Sequence, residues 1–136
     1  MSNVSVSFVY PVSPDRAWEL VGKPESIAKW HPAIASSPSD GKTRKCTLAD
    51  GGQVFETILE HDDARRAYRY AIDSSPLPIR DYVSTMSVLA DDLGCKVTWE
   101  SEFEVVEAPV ADIEAAIRGL YEAGLTSLRA MLDARA

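Results

Sequence analysis

Few side chains of this chain could do acid–base chemistry inside a folded domain. Such chemistry needs a titratable group in a hollow, and the available groups are Glu56, His31, Arg69, Arg80 and Asp81. Arg69 alternates with two tyrosines and is predicted to face outward. Arg80 and Asp81 lie beside prolines at a strand start, which favours a surface ion pair. Glu56 is therefore the candidate catalytic residue: if it points inward among tyrosines, burial would make it a proton donor or acceptor.

The histidines, cysteines and motifs indicate neither a metal site nor a cofactor. Metal ions need clustered ligands, whereas His31 and His61 lie far apart in the chain. His31 would end a short helix, where an imidazole suits the negative helix end, and His61 is expected in a solvated turn. Cys46 and Cys95 show no C-x-x-C spacing and are expected to be strand residues without a disulfide. The sequence has no nucleophile elbow, P-loop or dinucleotide-binding glycine motif.

Composition and charge narrow the range of partners. The chain has 136 residues and a formal net charge of −7, which predicts one domain over residues 1–136 and disfavours binding to nucleic acid or anionic membranes. Two basic clusters, Arg65-Arg66 and Lys42-Thr43-Arg44-Lys45, are interpreted as solvated strand or turn ends. No apolar run approaches the roughly 20 residues that span a bilayer, and the N-terminus lacks a basic leader. We expect a cytoplasmic protein, either a monomer or a homodimer.

Local patterns predict a strand, two short helices, about six further strands and a long helix. In VSVSFVYPV apolar residues alternate, as in a half-buried strand. Ser13 is a candidate helix N-cap with Pro14 at the first helical position, and a second short helix ends at His31-Pro32. The sequences ADGGQ and DDLG each mark a hairpin turn. The long helix begins near Pro109 and carries a broad apolar stripe.

The DDLG hairpin defines which residues face the core. If positions 91 and 94 pair, then Met86 faces Trp99 and Tyr82 faces Phe103 on one apolar face. The opposite face of the same strand carries glutamates, as a solvated face requires. The apolar face of a single sheet must be buried against another element, and the long helix can pack against it.

Four tyrosines, Tyr68, Tyr70, Tyr82 and Tyr121, are predicted to point inward together with Trp99. A buried tyrosine needs a partner for its hydroxyl, and four are more than a sealed core usually holds. They suit a pocket in which hydroxyls meet a ligand or water. The alternative is that each hydroxyl reaches the rim of the sheet and solvent.

Gly124 lies in the middle of the apolar stripe of the long helix, between Leu120, Tyr121 and Leu128. A missing side chain at this place has two interpretations. The helix backbone could touch the sheet closely, with Trp99 as a candidate for the projecting residue. Alternatively, the sheet could curve away and leave an apolar cavity, the usual form of a small-molecule site. The helix alone does not decide between them.

The chain as a whole resembles the START-like, birch-pollen-allergen-like superfamily, and within it the bacterial polyketide cyclase/dehydrase-like (SRPBCC) proteins. The resemblance is carried by PVSPDRAWELVGKPESIAKWHPAI, LADGGQVFETILEHDDARRAYRYAI, PLPIRDYVSTMSV, VTWESEFE and GLYEAGLTSLRAML, which span nearly the whole chain in order. It implies a single START-like ligand-binding domain with an α+β helix-grip fold. In that fold a seven-stranded antiparallel sheet wraps around a long C-terminal helix, and two short helices follow the first strand.

The resemblance also implies a cavity between sheet and helix that opens near the short helices, with Trp30 and Ile34 near its mouth. Glu56 in VFETILE matches a carboxylate found on the central sheet of such proteins. Because the register of the ADGGQ hairpin is ambiguous, the orientation of Glu56 depends on the resemblance alone. The predicted ligand-binding residues are Trp30, His31, Ile34, Glu56, Tyr68, Tyr70, Tyr82, Met86, Trp99, Phe103, Tyr121, Gly124 and Leu128.

Three functions are compatible with these observations. The first, which we prefer, is binding or transport of a small apolar or aromatic molecule in the internal cavity. The second is a cyclase or dehydratase acting on an aromatic or polyketide-like substrate, with Glu56 as its acid or base. The third is a module that binds a protein partner through the outer sheet face, which the acidic and polar outer strands disfavour.

Overall fold

One antiparallel sheet provides the frame of the molecule. The computed structural model describes residues 1–133, so residues 134–136 of the predicted domain lie outside the described part. The strands within it are β1 (Ser2–Tyr10), β2 (Ile34–Ser36), β3 (Thr43–Leu48), β4 (Gln53–Asp62), β5 (Ala67–Ser74), β6 (Ile79–Asp91) and β7 (Gly94–Val105). They pair in the order β1-β7-β6-β5-β4-β3-β2. Each neighbouring pair is antiparallel.

The helices lie where the sequence predicts them. After β1 come α1 (Pro14–Val21), a 3-10 turn (Pro24–Ser26) and α2 (Ile27–Trp30), while α3 (Val110–Asp133) follows β7. Ser13 caps α1, because its Oγ accepts a hydrogen bond from the Arg16 backbone N–H at 3.2 Å. The predicted helix-grip arrangement is confirmed: a seven-stranded sheet curls around the long helix, with two short helices after the first strand.

Within the described residues, three hydrogen bonds attach α3 to β1, one from Arg118 Nη1 to the Ser5 carbonyl at 3.2 Å and two at the C-terminal half of the helix. The hydroxyl of Tyr10 donates to the Leu125 carbonyl at 2.6 Å, and Arg129 Nη2 donates to the Val9 carbonyl at 2.9 Å. The apolar stripe of α3 is buried here, since Leu125 and Leu128 are fully inaccessible to solvent. The C-terminal half of α3 is therefore packed tightly, and any space between helix and sheet must lie nearer the helix start.

The predicted register of the DDLG hairpin is confirmed over most of its length. Asp91 pairs with Gly94, and Met86 pairs with Trp99. The pairing shifts between Arg80 and Val83, so the predicted partnership of Tyr82 with Phe103 falls at this irregularity. The Tyr82 and Phe103 side chains are both buried, with stacked rings 6.0 Å apart. The prediction of an inward face therefore holds despite the bulge.

The β3–β4 hairpin resolves the orientation of Glu56. Arg44 pairs with Glu56 and Cys46 pairs with Val54. Along β3, Arg44 and Cys46 are buried while Thr43 and Lys45 are exposed, which is the alternation of a half-buried strand. Glu56 is 6% exposed and points to the same inner face. The interpretation of the whole Lys42–Lys45 cluster as solvated is therefore wrong for Arg44.

Candidate ligand-binding cavity

A cavity of about 240 Å³ lies between the sheet and the N-terminal half of α3. Its wall is mainly apolar, with side chains from α2, the six strands β2 to β7 and α3; they include Ile27, Ile34, Val54, Ile72, Ile117 and Leu120. Its exposed lining residues Asp50, Pro76 and Leu77 mark an opening between the β3–β4 turn and the β5–β6 loop. An apolar concavity with a few polar groups is the usual form of a small-molecule site.

The structure brings about half of the predicted ligand-binding residues together in this wall. These are Ile34, Glu56, Tyr70, Tyr82, Trp99 and Tyr121. The others are buried but pack outside the wall: Trp30, His31, Tyr68, Met86, Phe103, Gly124 and Leu128. The expected mouth near Trp30 is therefore wrong. This indole is 2% exposed, and its ring meets Trp99 edge-on at 5.8 Å.

At Gly124, α3 approaches the end of α2 closely, and this glycine does not line the cavity. A Cβ at this position would lie 2.5 Å from His31 Cδ2 and 3.1 Å from the Trp30 ring. The side chains that need the space thus come from the end of α2, and Trp99 is not among the nearest atoms. The cavity lies nearer the start of α3, where Ala116, Ile117 and Leu120 face it.

His31 has a structural role at this contact. Its Nδ1 accepts a hydrogen bond from the Ala33 backbone N–H at 3.1 Å. The proton is therefore assigned to Nε2, which donates to the Leu120 carbonyl at 2.8 Å. Burial lowers the pKa of His31, so the imidazole is held in its neutral form. The imidazole ties α2 to α3 beside the cavity without lining it.

A buried ion pair forms the polar part of the cavity wall. Arg44 Nε lies 2.6 Å from Glu56 Oε1, and the two side chains are 0% and 6% exposed. The Cys46 thiol also donates to Glu56 Oε1, at 3.4 Å. Burial and the neighbouring carboxylate raise the pKa of Cys46 to about 12, which keeps the thiol protonated as a donor. A charge this deep needs its partner, because a lone buried ion is strongly destabilising.

Arg44 was missed because a basic cluster normally faces solvent. Its strand offers one usable signal: in TRKCTL the arginine and Cys46 stand two residues apart, so they share a face. A cysteine on a strand is expected to be buried, which would have placed Arg44 inside as well. The pairing with Glu56 still depended on the hairpin register.

Three of the four inward tyrosines bond to one another, and the fourth, Tyr68, accepts a hydrogen bond from Arg44 Nη1. Trp99 Nε1 donates to the Tyr70 hydroxyl at 3.1 Å, and the Tyr70 hydroxyl lies 3.4 Å from that of Tyr82. The Tyr82 hydroxyl in turn contacts the Tyr121 hydroxyl. Burial raises the pKa of all three phenols. They are therefore neutral, and the alternative of solvated hydroxyls is wrong for these side chains.

Comparison with known proteins identifies the family. Residues 1–133 match the family described as "Polyketide cyclase / dehydrase and lipid transport", and the chain belongs to it. The chain is similar to the structure of the protein XoxI from Bacillus cereus, with 29% identity, a TM-score of 0.93 and coverage of 97% of this chain and 96% of that one. No curated protein matches the chain significantly.

More distant structures share the fold alone. A START superfamily protein from Mycobacterium smegmatis has 11% identity and a TM-score of 0.84, covering 98% of this chain and 99% of that one. Ara h 8.0201 has 20% identity and a TM-score of 0.78, with 98% of each chain covered. These two likenesses confirm the helix-grip fold, and together with the family match over residues 1–133 they confirm the resemblance predicted from the sequence.

Two further observations limit the chemistry of the described chain. Among residues 1–133, no three His, Cys, Asp or Glu side chains come together in a way that could hold a metal ion. In the same part of the chain, no helix has the length and apolar character needed to cross a membrane.

Proposed function

We propose that this protein binds a small, mainly apolar aromatic molecule in the cavity between the sheet and α3. The cavity itself carries the proposal, because well-packed interiors rarely keep a space of 240 Å³. Trp99 and Tyr121 stack there at 4.2 Å with their planes 17° apart, and both line the space. Aromatic side chains in the wall favour contact with a further aromatic ring.

The volume limits the size of the ligand. An engineered apolar cavity of about 150 Å³ binds benzene, whereas sites for drug-sized ligands measure about 300–1,000 Å³. The cavity of 240 Å³ lies between these values. We therefore expect one ring or two fused rings, and not a long-chain lipid, unless the loops at the opening move apart.

A panel of small aromatic compounds tests the proposal. Indane, naphthalene and 1-indanone would be titrated while tryptophan fluorescence is recorded, because Trp99 lies in the wall. A ligand at about 100 times its Kd adds about 2.7 kcal/mol of stability, which a thermal melt detects easily. No change in fluorescence or melting temperature with any compound would contradict the proposal.

A variant pair on α3 localises the binding. Ala116 is exposed and lines the cavity, whereas its exposed neighbour Ala115 does not. Ala116→Phe should hinder entry and weaken binding about tenfold or more, the loss expected when about 1.4 kcal/mol of contact is removed. Ala115→Phe should leave the affinity unchanged. Equal effects of the two substitutions would place the ligand elsewhere.

A second candidate function is a cyclase or dehydratase, which Glu56 favours by lying in the same wall as three tyrosines. If Glu56 acts as a base, it should remove a proton next to the carbonyl of bound 1-indanone and exchange it for deuterium in D₂O. The exchange should disappear in Glu56→Gln and persist in Glu60→Gln, an exposed position of the same strand. The cytoplasmic location and the monomeric or homodimeric state stay predictions.

A further inference from the structure

Arg44 carries a donor that no group in residues 1–133 satisfies. A guanidinium has five N–H donors in a fixed planar fork. Its Nε donates to Glu56, and Nη1 donates to the Pro24 carbonyl at 2.8 Å and to the Tyr68 hydroxyl at 3.3 Å. Within the described chain Nη2 has no acceptor, although the side chain is 0% exposed. A buried charged donor without a partner is strongly unfavourable.

The unsatisfied edge of Arg44 belongs to the cavity. Arg44 and Glu56 line the space, whereas Pro24 and Tyr68 do not. Both acceptors of Nη1 thus lie outside the wall, whereas the acceptor of Nε lies in it, which places the edge formed by Nε and Nη2 on the side of the cavity. Tyr70 fixes the plane of the guanidinium, since its ring centre lies 4.8 Å from Arg44 Cζ. The missing acceptor is thus expected from a molecule inside the cavity.

Charge and hydrogen bonding select the kind of acceptor. Glu56 already neutralises Arg44, so an anionic group would add an uncompensated charge to a buried and mainly apolar space. A hydroxyl would bring an O–H that needs an acceptor of its own in this mainly apolar wall. A carbonyl oxygen is neutral and only accepts.

We infer that the molecule bound in this cavity carries a neutral ketone or aldehyde oxygen that accepts a hydrogen bond from Arg44 Nη2, while its ring packs against the apolar wall. The inference rests on the proposed function and adds the chemical class of the ligand. Arg44 then donates two hydrogen bonds on this side, one from Nε to Glu56 and one from Nη2 to the ligand.

Matched compounds test this separately from cavity binding. Indane and 1-indanone share a fused ring system and differ by one carbonyl. A hydrogen bond to a charged group should make 1-indanone bind about 10- to 100-fold more tightly. Equal affinities would overturn this inference and leave the proposed function intact, whereas no binding of either compound would overturn both. Indane-1-carboxylate should bind more weakly than the ketone, and tighter binding would refute the charge argument.

Variants connect the preference to Arg44. Replacing both partners, Arg44→Met with Glu56→Leu, avoids leaving a lone buried charge. This double variant should lose the preference, so that 1-indanone binds no more tightly than indane. The control is Arg80→Met with Glu104→Leu, which removes an exposed ion pair of 2.7 Å outside the cavity wall. The control should keep the preference, and loss of the preference in both variants would contradict the assignment to Arg44.

An infrared measurement on the unmodified protein tests the same hydrogen bond without any variant, so it does not depend on whether the variants fold. The carbonyl stretch of bound 1-indanone should lie at a lower wavenumber than in hexane, because a guanidinium hydrogen bond weakens the C=O bond. An unshifted band in the complex would overturn the inference.

Discussion

Adding one methyl group at two glycines of α3 should change stability in opposite directions. At Gly124 a Cβ would lie 2.5 Å from His31 Cδ2, which is 0.9 Å shorter than the 3.4 Å at which ordinary contact begins. At Gly119 nothing lies within 4 Å of the added atom. Both glycines are in the same helix, so the gain in helix propensity is the same, about 1 kcal/mol for Gly→Ala.

The clash at Gly124 outweighs that gain because the imidazole cannot move freely. His31 is held by the Leu120 carbonyl and the Ala33 N–H, and rotation of the ring would break both bonds. Overpacking typically costs about 1–3 kcal/mol, and each lost hydrogen bond costs about 0.5–1.5 kcal/mol. We therefore expect Gly124→Ala to destabilise the protein by about 1–4 kcal/mol and Gly119→Ala to stabilise it by about 1 kcal/mol.

Urea unfolding followed by circular dichroism would give both free energies of unfolding. A double variant checks the cause: His31→Ala removes the 2.5 Å contact and leaves the 3.1 Å approach to Trp30, so Gly124→Ala should be much less destabilising in that background. If Gly124→Ala stabilised the protein as much as Gly119→Ala, the close approach of α2 to α3 would not constrain the structure, and the explanation of this glycine would fail.

Three further predictions concern buried titratable groups. Arg44→Met alone should cost about 3–5 kcal/mol in urea unfolding, while adding Glu56→Leu should restore most of it; a single-variant loss below about 1 kcal/mol would show that Glu56 finds solvent. Because the pKa of native His31 is lowered, the unfolded state binds more protons below its own pKa of about 6.5, so stability should fall as the pH drops below that value. His31→Gln should show a shallower fall between about pH 7 and pH 5.5, and identical slopes would contradict this cause. The buried Cys46 thiol, with its pKa of about 12, should resist a thiol reagent at about pH 8 until urea unfolds the protein; rapid labelling of the native protein would contradict its burial.

Short sequence patterns predicted those parts of the fold that depend on residues close together in the sequence. Ser13 and Pro14 predicted the start of α1, because they are residue types that favour the N-cap and the first helical position. The DDLG turn predicted the β6–β7 register correctly from Asp91 as far as Val83. The shift between Arg80 and Val83 had no such signal. The alternation itself breaks there, since Arg80 and Asp81 are both exposed. Tyr82 still faces the core, so its inward orientation was predicted correctly although its pairing was not.

The candidate site was only partly predictable, because its key contacts join distant segments. The role of Gly124 depends on how α2 packs on α3, which neither helix encodes alone. The Arg44–Glu56 pair depends on a hairpin register that two neighbouring glycines left ambiguous. The sequence left two interpretations of Gly124 open, and the structure supports the close approach. The cavity exists, but it lies beside Ile117 and Tyr121.

The state of the polar groups favours holding a molecule over transforming it. A catalytic acid or base must be free to exchange a proton with the substrate. Here Glu56 Oε1 already accepts from Arg44 and Cys46, and the Tyr70, Tyr82 and Tyr121 hydroxyls bond to one another. Among the fully buried polar atoms of the wall in residues 1–133, only Arg44 Nη2 lacks a partner; it can donate but, as a guanidinium, does not give up its proton. This donor can hold an acceptor atom of a ligand but cannot transfer a proton to it. We therefore expect the protein to bind 1-indanone without catalysing deuterium exchange.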